Sequence, residues 1–204
     1  AIALVLNFIG CDVGIESEND ARVLNRGLNG DPESLDPHHF TSTQSANVLR
    51  DLGEGLLSYS ESGELRPGVA EKWKVSPDGR TYTFFLRPNA TWSNGEYLFA
   101  RDFVQSFRRL VDPQTASPSA NNIAVIREAR NIIGGASDPS ELGVIARDDH
   151  TLVVELESRT PYFLQLLTHP STFPVYAANG AKDEVGKLVV DPSVSNGAYV
   201  LIDW

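Results

Sequence analysis

Four histidines and one cysteine are the side chains of this sequence best suited to bind a metal ion or to act as a nucleophile. His38 and His39 are adjacent, so in a strand they would face opposite sides. His150 lies in a predicted turn and His169 stands alone, and the set has none of the spacings that zinc ligands use. A single cysteine, Cys11, excludes an internal disulfide and a Cys-rich metal site. The sequence therefore predicts no metal and no cofactor.

Two adjacent carboxylates, Asp148 and Asp149, have the residue type needed for acid–base catalysis. The surrounding sequence predicts a hairpin turn, however, and Asp side chains in turns hydrogen-bond their own backbone. The chain also has no glycine-rich phosphate loop and no Gly-x-Ser-x-Gly nucleophile motif. The sequence thus predicts that the protein is not an enzyme.

The composition is that of an ordinary globular protein, with 204 residues, 41% hydrophobic and 22% charged. This length fits one large domain or two small ones. The formal net charge of −10 would repel phosphate backbones, so nucleic acid is excluded as a partner. It would also repel an anionic membrane surface, so membrane association needs an anchor.

The first residues suggest such an anchor. Ala1–Gly10 is an apolar run directly before Cys11, too short to span a bilayer as a helix. Residues 1–11 resemble the end of a bacterial lipoprotein signal, in which the cysteine is lipidated, and the polar residues 12–22 would form a tether. The alternative is a buried N-terminal strand with a free thiol. The sequence has no methionine, and both ends are expected to be cut.

The elements that must position any site are short and mixed. Hydrophobic periodicity distinguishes helices, with a period near 3.6, from strands, with a period of two. Turn signals such as Ser76-Pro77-Asp78-Gly79 separate them. The class is α+β. The predicted strands are 23–28, 56–60, 73–75, 81–86, 144–147, 151–156 and one starting at 197–202; the predicted helices are 44–52, 100–111, 123–133 and 162–167.

An ordered set of motifs runs through most of the chain from Val23 to Trp204. In order and spacing they resemble the oligopeptide-binding receptors of ABC-type importers, within the peptide, dipeptide and nickel solute-binding family. The motifs are Ser34–His38, Arg50–Leu57, Pro67–Trp73, Tyr82–Phe84, Leu86-Arg87, Ala90–Gly95, Asp102–Val104, Val111–Pro118, Leu142–Val144, Asp148–Leu152, Pro161–Phe163, His169–Thr172 and Asn196–Tyr199.

The resemblance implies part of a two-lobed periplasmic-binding-protein fold of the large peptide-binding type, which closes on an extended peptide. Residues 23–53 would be the first segment of lobe I, and 54–175 the inserted domain II. Residues 176–204 would return to lobe I, and the C-terminal lobe is expected to be absent. The aromatic residues of the inserted domain are assigned to its core and not to ligand: Trp73, Tyr82, Phe84, Trp92 and Phe103.

The resemblance also implies ligand-binding positions. A strand-like segment can pair with the main chain of an extended peptide whatever its side chains, and by register that segment falls at Thr41, Ser42 and Thr43. Ser119 stands where the family has a pocket tyrosine, which predicts a roomier or more polar pocket. His169, in a His-Pro-Ser-Thr motif, would line a side-chain pocket. The alternatives are a surface loop, a turn residue and a core histidine.

These expectations describe a receptor in the periplasm or on the outer face of the cytoplasmic membrane, lipid-anchored through Cys11. It would be a monomer that captures oligopeptides and delivers them to the permease subunits of an ABC importer. Two alternatives stay open. One is a receptor of the same family for another cargo, such as a dipeptide, nickel or haem; the other is an adhesion or scaffold lipoprotein.

Overall fold

The computed structural model describes residues 24–181, 183–184, 188 and 190–202. Cys11, with the predicted signal and tether, lies outside the described residues, so lipidation stays a prediction. The predicted strand at 23–28 is wrong over its described part, because residues 24–28 form no regular element. This segment is held by an ion pair between the Arg26 guanidinium and the Asp51 carboxylate rather than by a neighbouring strand.

Helix α1 spans Thr43–Leu52, as predicted except that it begins one residue earlier. Its start is fixed by Ser42, whose hydroxyl accepts the N–H of Ser45 as an N-cap. Its end is fixed by Gly53, whose backbone is extended. The buried face of the helix consists of Ser45, Ala46, Leu49 and Leu52.

The strands form two antiparallel sheets. Strands β1 (Leu57–Tyr59) and β2 (Leu65–Pro67) make a two-stranded sheet, and four further strands make a sheet of order β3-β4-β6-β5. Central strand β4 alternates between buried and half-buried positions, as its sequence predicts. The four strands are β3 (Ala70–Val75), β4 (Thr81–Leu86), β5 (Val144–Asp148) and β6 (Thr151–Glu155).

Helix α2 spans Ala100–Val111, with the predicted bounds, and packs its apolar stripe on this sheet. Phe103, Phe107 and Leu110 are fully buried, and the Asp102 carboxylate caps the helix by accepting the N–H of Phe99 at 2.8 Å. The core assigned to the aromatic residues is confirmed: Trp73 is partly buried against it, and Tyr82, Phe84, Trp92 and Phe103 are buried.

The turn between β5 and β6 is the one that the sequence predicts. The Asp148 carboxylate accepts the backbone N–H of His150 at 2.9 Å. Asp149 faces Arg101 at 3.5 Å. Both carboxylates therefore serve turn geometry and a surface ion pair.

The predicted helix at 123–133 is wrong. A 3₁₀ turn spans Ala120–Ile123, and helix α3 covers only Ala129–Ile133. Between them, the N–H of Arg127 donates to the carbonyl of Glu155, the last residue of β6, and the Arg127 carbonyl accepts from the N–H of Gly143. Because these backbone groups bond to the sheet, they cannot also bond within a helix.

The last part of the described chain turns back onto α1. Helix α4 spans Phe163–Leu166, within the predicted 162–167. The predicted strand at 197–202 is wrong, since these residues form no strand. The N–H groups of Gly197 and Tyr199 donate instead to the carbonyls of Leu52 and Asp51 at the end of α1.

Over the described ranges, no helix is long and apolar enough to cross a membrane.

Candidate functional site

His169 is the point at which the predicted ligand-binding segments meet. Its ring stacks on Phe40, next to Thr41, with centroids 5.7 Å apart and an interplanar angle of 21°. The side-chain amide nitrogen of Asn122 lies 3.3 Å from His169 Nδ1. Asn122 in turn donates its backbone N–H to the carbonyl of Ser119. Segments far apart in the sequence are thus joined by direct contacts around one imidazole.

The tautomer of His169 follows from its neighbours. Nδ1 accepts the N–H of Ser171 at 3.3 Å and also contacts the Ser171 hydroxyl at 2.8 Å. Burial, together with the charge of Arg50, lowers the pKa of His169. The imidazole is therefore neutral at neutral pH, with its proton on Nε2. In the described part of the chain Nε2–H has no partner, so it can donate to a ligand.

Thr41–Thr43 is not a strand. Ser42 is extended, with φ −91° and ψ 156°, but it caps α1, and Thr43 is already helical. The expected three-residue strand-like segment is therefore wrong at Thr43. The role of this segment in binding stays a prediction, limited to Thr41 and the extended Ser42.

Glu33 occupies the backbone donors of that stretch. Its carboxylate accepts the N–H of Ser42 at 2.7 Å, the N–H of Thr41, both of their hydroxyls, and the Ser45 hydroxyl at 2.8 Å. The hydrogen bonds from Ser42 and Thr41 hold the pKa of Glu33 well below its usual value. The Ser42 carbonyl accepts the N–H of Ala46 in α1, so a ligand that pairs here must use the Thr41 carbonyl or displace Glu33.

Ser119 is half-buried and precedes the 3₁₀ turn Ala120–Ile123, with its N–H directed at the hydroxyl of Ser117 at 3.2 Å. Its backbone carbonyl positions Asn122 beside His169. The prediction that its side chain widens a ligand pocket stays a prediction.

Two adjoining grooves open beside His169. The smaller, of about 230 Å³, is lined by His169, Asn122, Gln165 and Leu166. The larger, of about 540 Å³, runs along the end of α1 and the β1–β2 hairpin. Both grooves share Arg50, Tyr59 and Thr168. Together we call them the α1 groove.

An ionic cluster anchors the first segment to α2. The Asp36 carboxylate accepts two N–H groups of Arg109, at 2.9 and 2.6 Å, and the backbone N–H of His38 at 2.8 Å. Burial acts to raise the pKa of Asp36, but the hydrogen bonds and charge of Arg109 outweigh it and hold this pKa below its usual value. The Asp-Pro-His motif is therefore a structural anchor.

Both histidines of the motif join this cluster. The fully buried ring of His38 accepts from Arg109 through Nδ1 at 2.7 Å, and its Nε2 is buried without a partner among the described residues. His39 contacts Asp36 through Nδ1 at 2.9 Å and the carbonyl of Thr115 through Nε2 at 2.8 Å. The second contact ties the loop that leads to Ser119.

The buried His38 should make stability depend on pH. Burial and the charge of Arg109 lower its pKa to about 3, whereas an unfolded histidine has a pKa of about 6.5. Below pH 6.5 the unfolded state therefore binds a proton that the folded state excludes. The contribution of His38 to the free energy of unfolding is complete above this pH and is lost as the pH drops toward 3. Between pH 7 and pH 5 the free energy of unfolding should fall by about 2 kcal/mol.

Urea unfolding at pH 7, 6 and 5 measures this change. The variant His38→Gln, which cannot titrate, should show a flatter dependence over the same range. Equal slopes for the two proteins would show that His38 is not the group responsible.

Sequence reasoning missed the residues that act through distant contacts. Phe40, Arg50 and Asn122 contact or surround His169, Glu33 fills the start of α1, and Arg109 anchors the first segment. Arg50 lies inside one of the resembling motifs, which was a usable signal.

In the described ranges no group of three His, Cys, Asp or Glu side chains could hold a metal ion.

The described part of the chain combines an antiparallel sheet, a helix packed on it and an open groove at the end of α1. The chain belongs to the family described as bacterial extracellular solute-binding proteins, family 5 Middle, whose sequence model matches residues 64–204. The resemblance found from the motifs is confirmed.

Relatives match most of this chain. It is 44% identical over 189 residues to the periplasmic oligopeptide-binding protein OppA of Salmonella typhimurium, covering 91% of this chain and 34% of that protein. It is 40% identical over 176 residues to the probable deoxycholate-binding periplasmic protein YgiS of Escherichia coli, covering 85% and 33%. The chain therefore spans about a third of the length of these relatives.

Solved structures of relatives share the fold of this chain over most of its length. The Haemophilus influenzae OppA complex with the peptide RPPGFSPFR superposes with a TM-score of 0.77 at 41% identity, covering 85% of this chain and 34% of that one. Such a likeness supports the mixed α/β fold class and its assignment to the two-lobed periplasmic binding proteins.

Proposed function

We propose that this chain is part of an extracytoplasmic receptor that captures extended oligopeptides and delivers them to an ABC-type importer. The observation that supports it most is the small part of the α1 groove, which His169 and Asn122 line side by side while Phe40 stacks on the His169 ring. A relative at 41% identity is solved with a peptide bound. The proposal includes a periplasmic, lipid-anchored location, a monomeric state and the absence of enzymatic activity.

The groove offers a peptide several kinds of contact. The free Nε2–H of His169 can donate to a peptide carbonyl or polar side chain. Thr41 does not line the groove, so its carbonyl could accept only from a peptide N–H that extends beyond the groove. Tyr59, 46% exposed, can line a space for a side chain, whereas Ser119 does not line the groove and its part in a ligand pocket stays a prediction. Binding through main-chain groups and roomy pockets would accept many sequences, as a nutrient receptor requires.

Calorimetric titration of the full-length protein with mixed tri- to pentapeptides tests this function. We expect heat of binding that saturates at one peptide per protein. No heat with any peptide would contradict the proposal. Because one relative is named for deoxycholate, the same titration with deoxycholate tests the alternative of another cargo.

His169→Ala should weaken peptide binding about tenfold in the full-length protein, because the variant loses one hydrogen-bond donor and the stacking partner of Phe40. His150→Ala is a matched control, since His150 lies in the β5–β6 turn, away from the α1 groove. Equal affinities for both variants and the parent would remove His169 from the site.

A further inference from the structure

Two arginines in the α1 groove have charges that no carboxylate of the described residues pairs with. Arg50, at the end of α1, is exposed, and its Nη1 donates only to the carbonyl of Ala46 at 3.2 Å. Its neighbour Asp51 is taken by Arg26. Arg66, on β2, is exposed and forms no hydrogen bond or ion pair with the described residues. Uncommitted guanidinium groups are suited to carboxylates, which they can bind through two parallel hydrogen bonds.

The one carboxylate that lines this groove does not cancel these charges. Glu54 is half-buried, and burial raises its pKa, while the charges of Arg87 and then Arg66 act to lower it. The lining of the groove thus holds two guanidinium groups, those of Arg50 and Arg66, and one carboxylate. A net positive groove is unusual in a chain whose formal net charge is −10. Its field would attract an anionic group and repel a cationic one.

The shape of the groove fits an extended ligand that reaches both arginines. Arg50 and Tyr59 line the larger and the smaller parts alike, and His169 lies at the smaller end. Near α1 the lining includes three glycines, Gly53, Gly55 and Gly197, which add no side chains of their own to the groove. A ligand held at His169 can therefore extend past Arg50 toward Arg66.

We propose that Arg50 and Arg66 form a carboxylate subsite, so that the receptor prefers peptides whose C-terminal carboxylate or acidic side chain reaches the α1 groove. This inference rests on the proposed peptide-binding function. It adds the chemical class of ligand that this part of the chain selects. The selection is made by two side chains that belong to different elements, α1 and β2.

Calorimetry with paired peptides tests the subsite in the full-length protein. One pair is tetra-alanine and its C-terminal amide; the others replace each alanine of the amide in turn by Glu or by Gln. For at least one pair, the member with the carboxylate should bind about tenfold more tightly. The advantage should shrink as salt is raised from 50 to 500 mM, because exposed charges are screened.

The variants Arg50→Gln and Arg66→Gln should each reduce that ratio toward one. Arg147→Gln, an exposed arginine on β5 outside the groove, should leave the ratio unchanged. If the affinity ratio falls only for tetra-alanine and its amide, the subsite binds the peptide C-terminus. If the ratio falls for a Glu/Gln pair, the subsite binds an acidic side chain.

If the ratio of the two affinities within every peptide pair is the same in the parent and in both groove variants, the carboxylate subsite is wrong although the peptide receptor stands. If no peptide binds the parent protein, the proposed function itself is wrong. Melting temperatures of the variants show whether each is folded, and both arginines are exposed enough for the exchange to leave the fold intact.

Discussion

Arg109→Met is expected to lower the free energy of unfolding by about 3–5 kcal/mol, the range for removing one partner of a buried ion pair. The Arg109 side chain is 13% exposed and that of Asp36 21%. Without Arg109, the Asp36 carboxylate and the Nδ1 of His38 lose the donors that satisfy them. The methylenes of methionine keep most of the packing volume, so the loss reports on the charge.

Urea unfolding of the chain, followed by tryptophan fluorescence, measures this loss. Arg101→Met on the same helix is the matched control: its ion pair with Asp149 is 3.5 Å long and more than half exposed, so it should cost at most about 1 kcal/mol. Equal losses for the two variants would contradict a special role for Arg109. Adding Asp36→Asn to Arg109→Met should recover part of the stability, because no buried charge then lacks a partner.

The anchor also connects stability to the site. Arg109 holds the segment that carries Phe40 and Thr41, and His39 holds the carbonyl of Thr115 in the loop toward Ser119. A receptor with Arg109→Met that is still folded should therefore bind peptide more weakly. The Asp-Pro-His motif can contribute to binding in this way without touching ligand.

The elements that the sequence predicts best are those whose pattern is complete within themselves. Strand β4 is rich in β-formers and alternates over its first four residues, and α2 carries one apolar stripe, so the predicted bounds of both match the structure. Local pattern also sufficed for the β5–β6 turn, where Asp148 bonds its own backbone.

Where prediction failed, the deciding partner lies far away in the sequence. The helix expected at 123–133 is interrupted because Arg127 pairs with Glu155, and the strand expected at 197–202 does not form because Gly197 pairs with Leu52. No local period contains these partners. The role of Arg109 as an anchor was missed for the same reason, since Asp36 is 73 positions away.

The residues of the candidate site also fall into two groups, those that the sequence indicated and those that only the structure reveals. Motif resemblance pointed to His169 and to the neighbourhood of Thr41, and the structure brings their segments into contact. It did not reveal that Glu33 fills the start of α1, because the family register says where a segment lies and not what its N–H groups bond to. Arg50 and Arg66 become a pair only when α1 and β2 line one groove.

Gly197→Ala is expected to cost about 3 kcal/mol, at the upper end of the range for overpacking. An added Cβ would lie 2.5 Å from the carbonyl carbon of Leu52 and 2.6 Å from the nitrogen of Gly53. Both are backbone atoms at the end of α1, so no side chain can move aside. The chain must shift, and the hydrogen bond of 2.8 Å from Gly197 N–H to the Leu52 carbonyl would be lost.

The shift should spread to the neighbouring residue. The Asn196 amide imitates a backbone group: it accepts the N–H of Glu54 at 3.1 Å and donates to the Glu54 carbonyl at 2.8 Å. Gly197→Ala should therefore speed hydrogen exchange at Glu54 as well as lower the urea midpoint.

Gly27→Ala is the control, because nothing lies within 4 Å of its added Cβ, and it should be neutral or stabilise by up to about 1 kcal/mol. Similar unfolding energies for the two variants would mean that the Asn-Gly motif does not pack against α1 as the structure has it. In that case the floor of the α1 groove, which Asn196 and Gly197 help to form, would need another explanation.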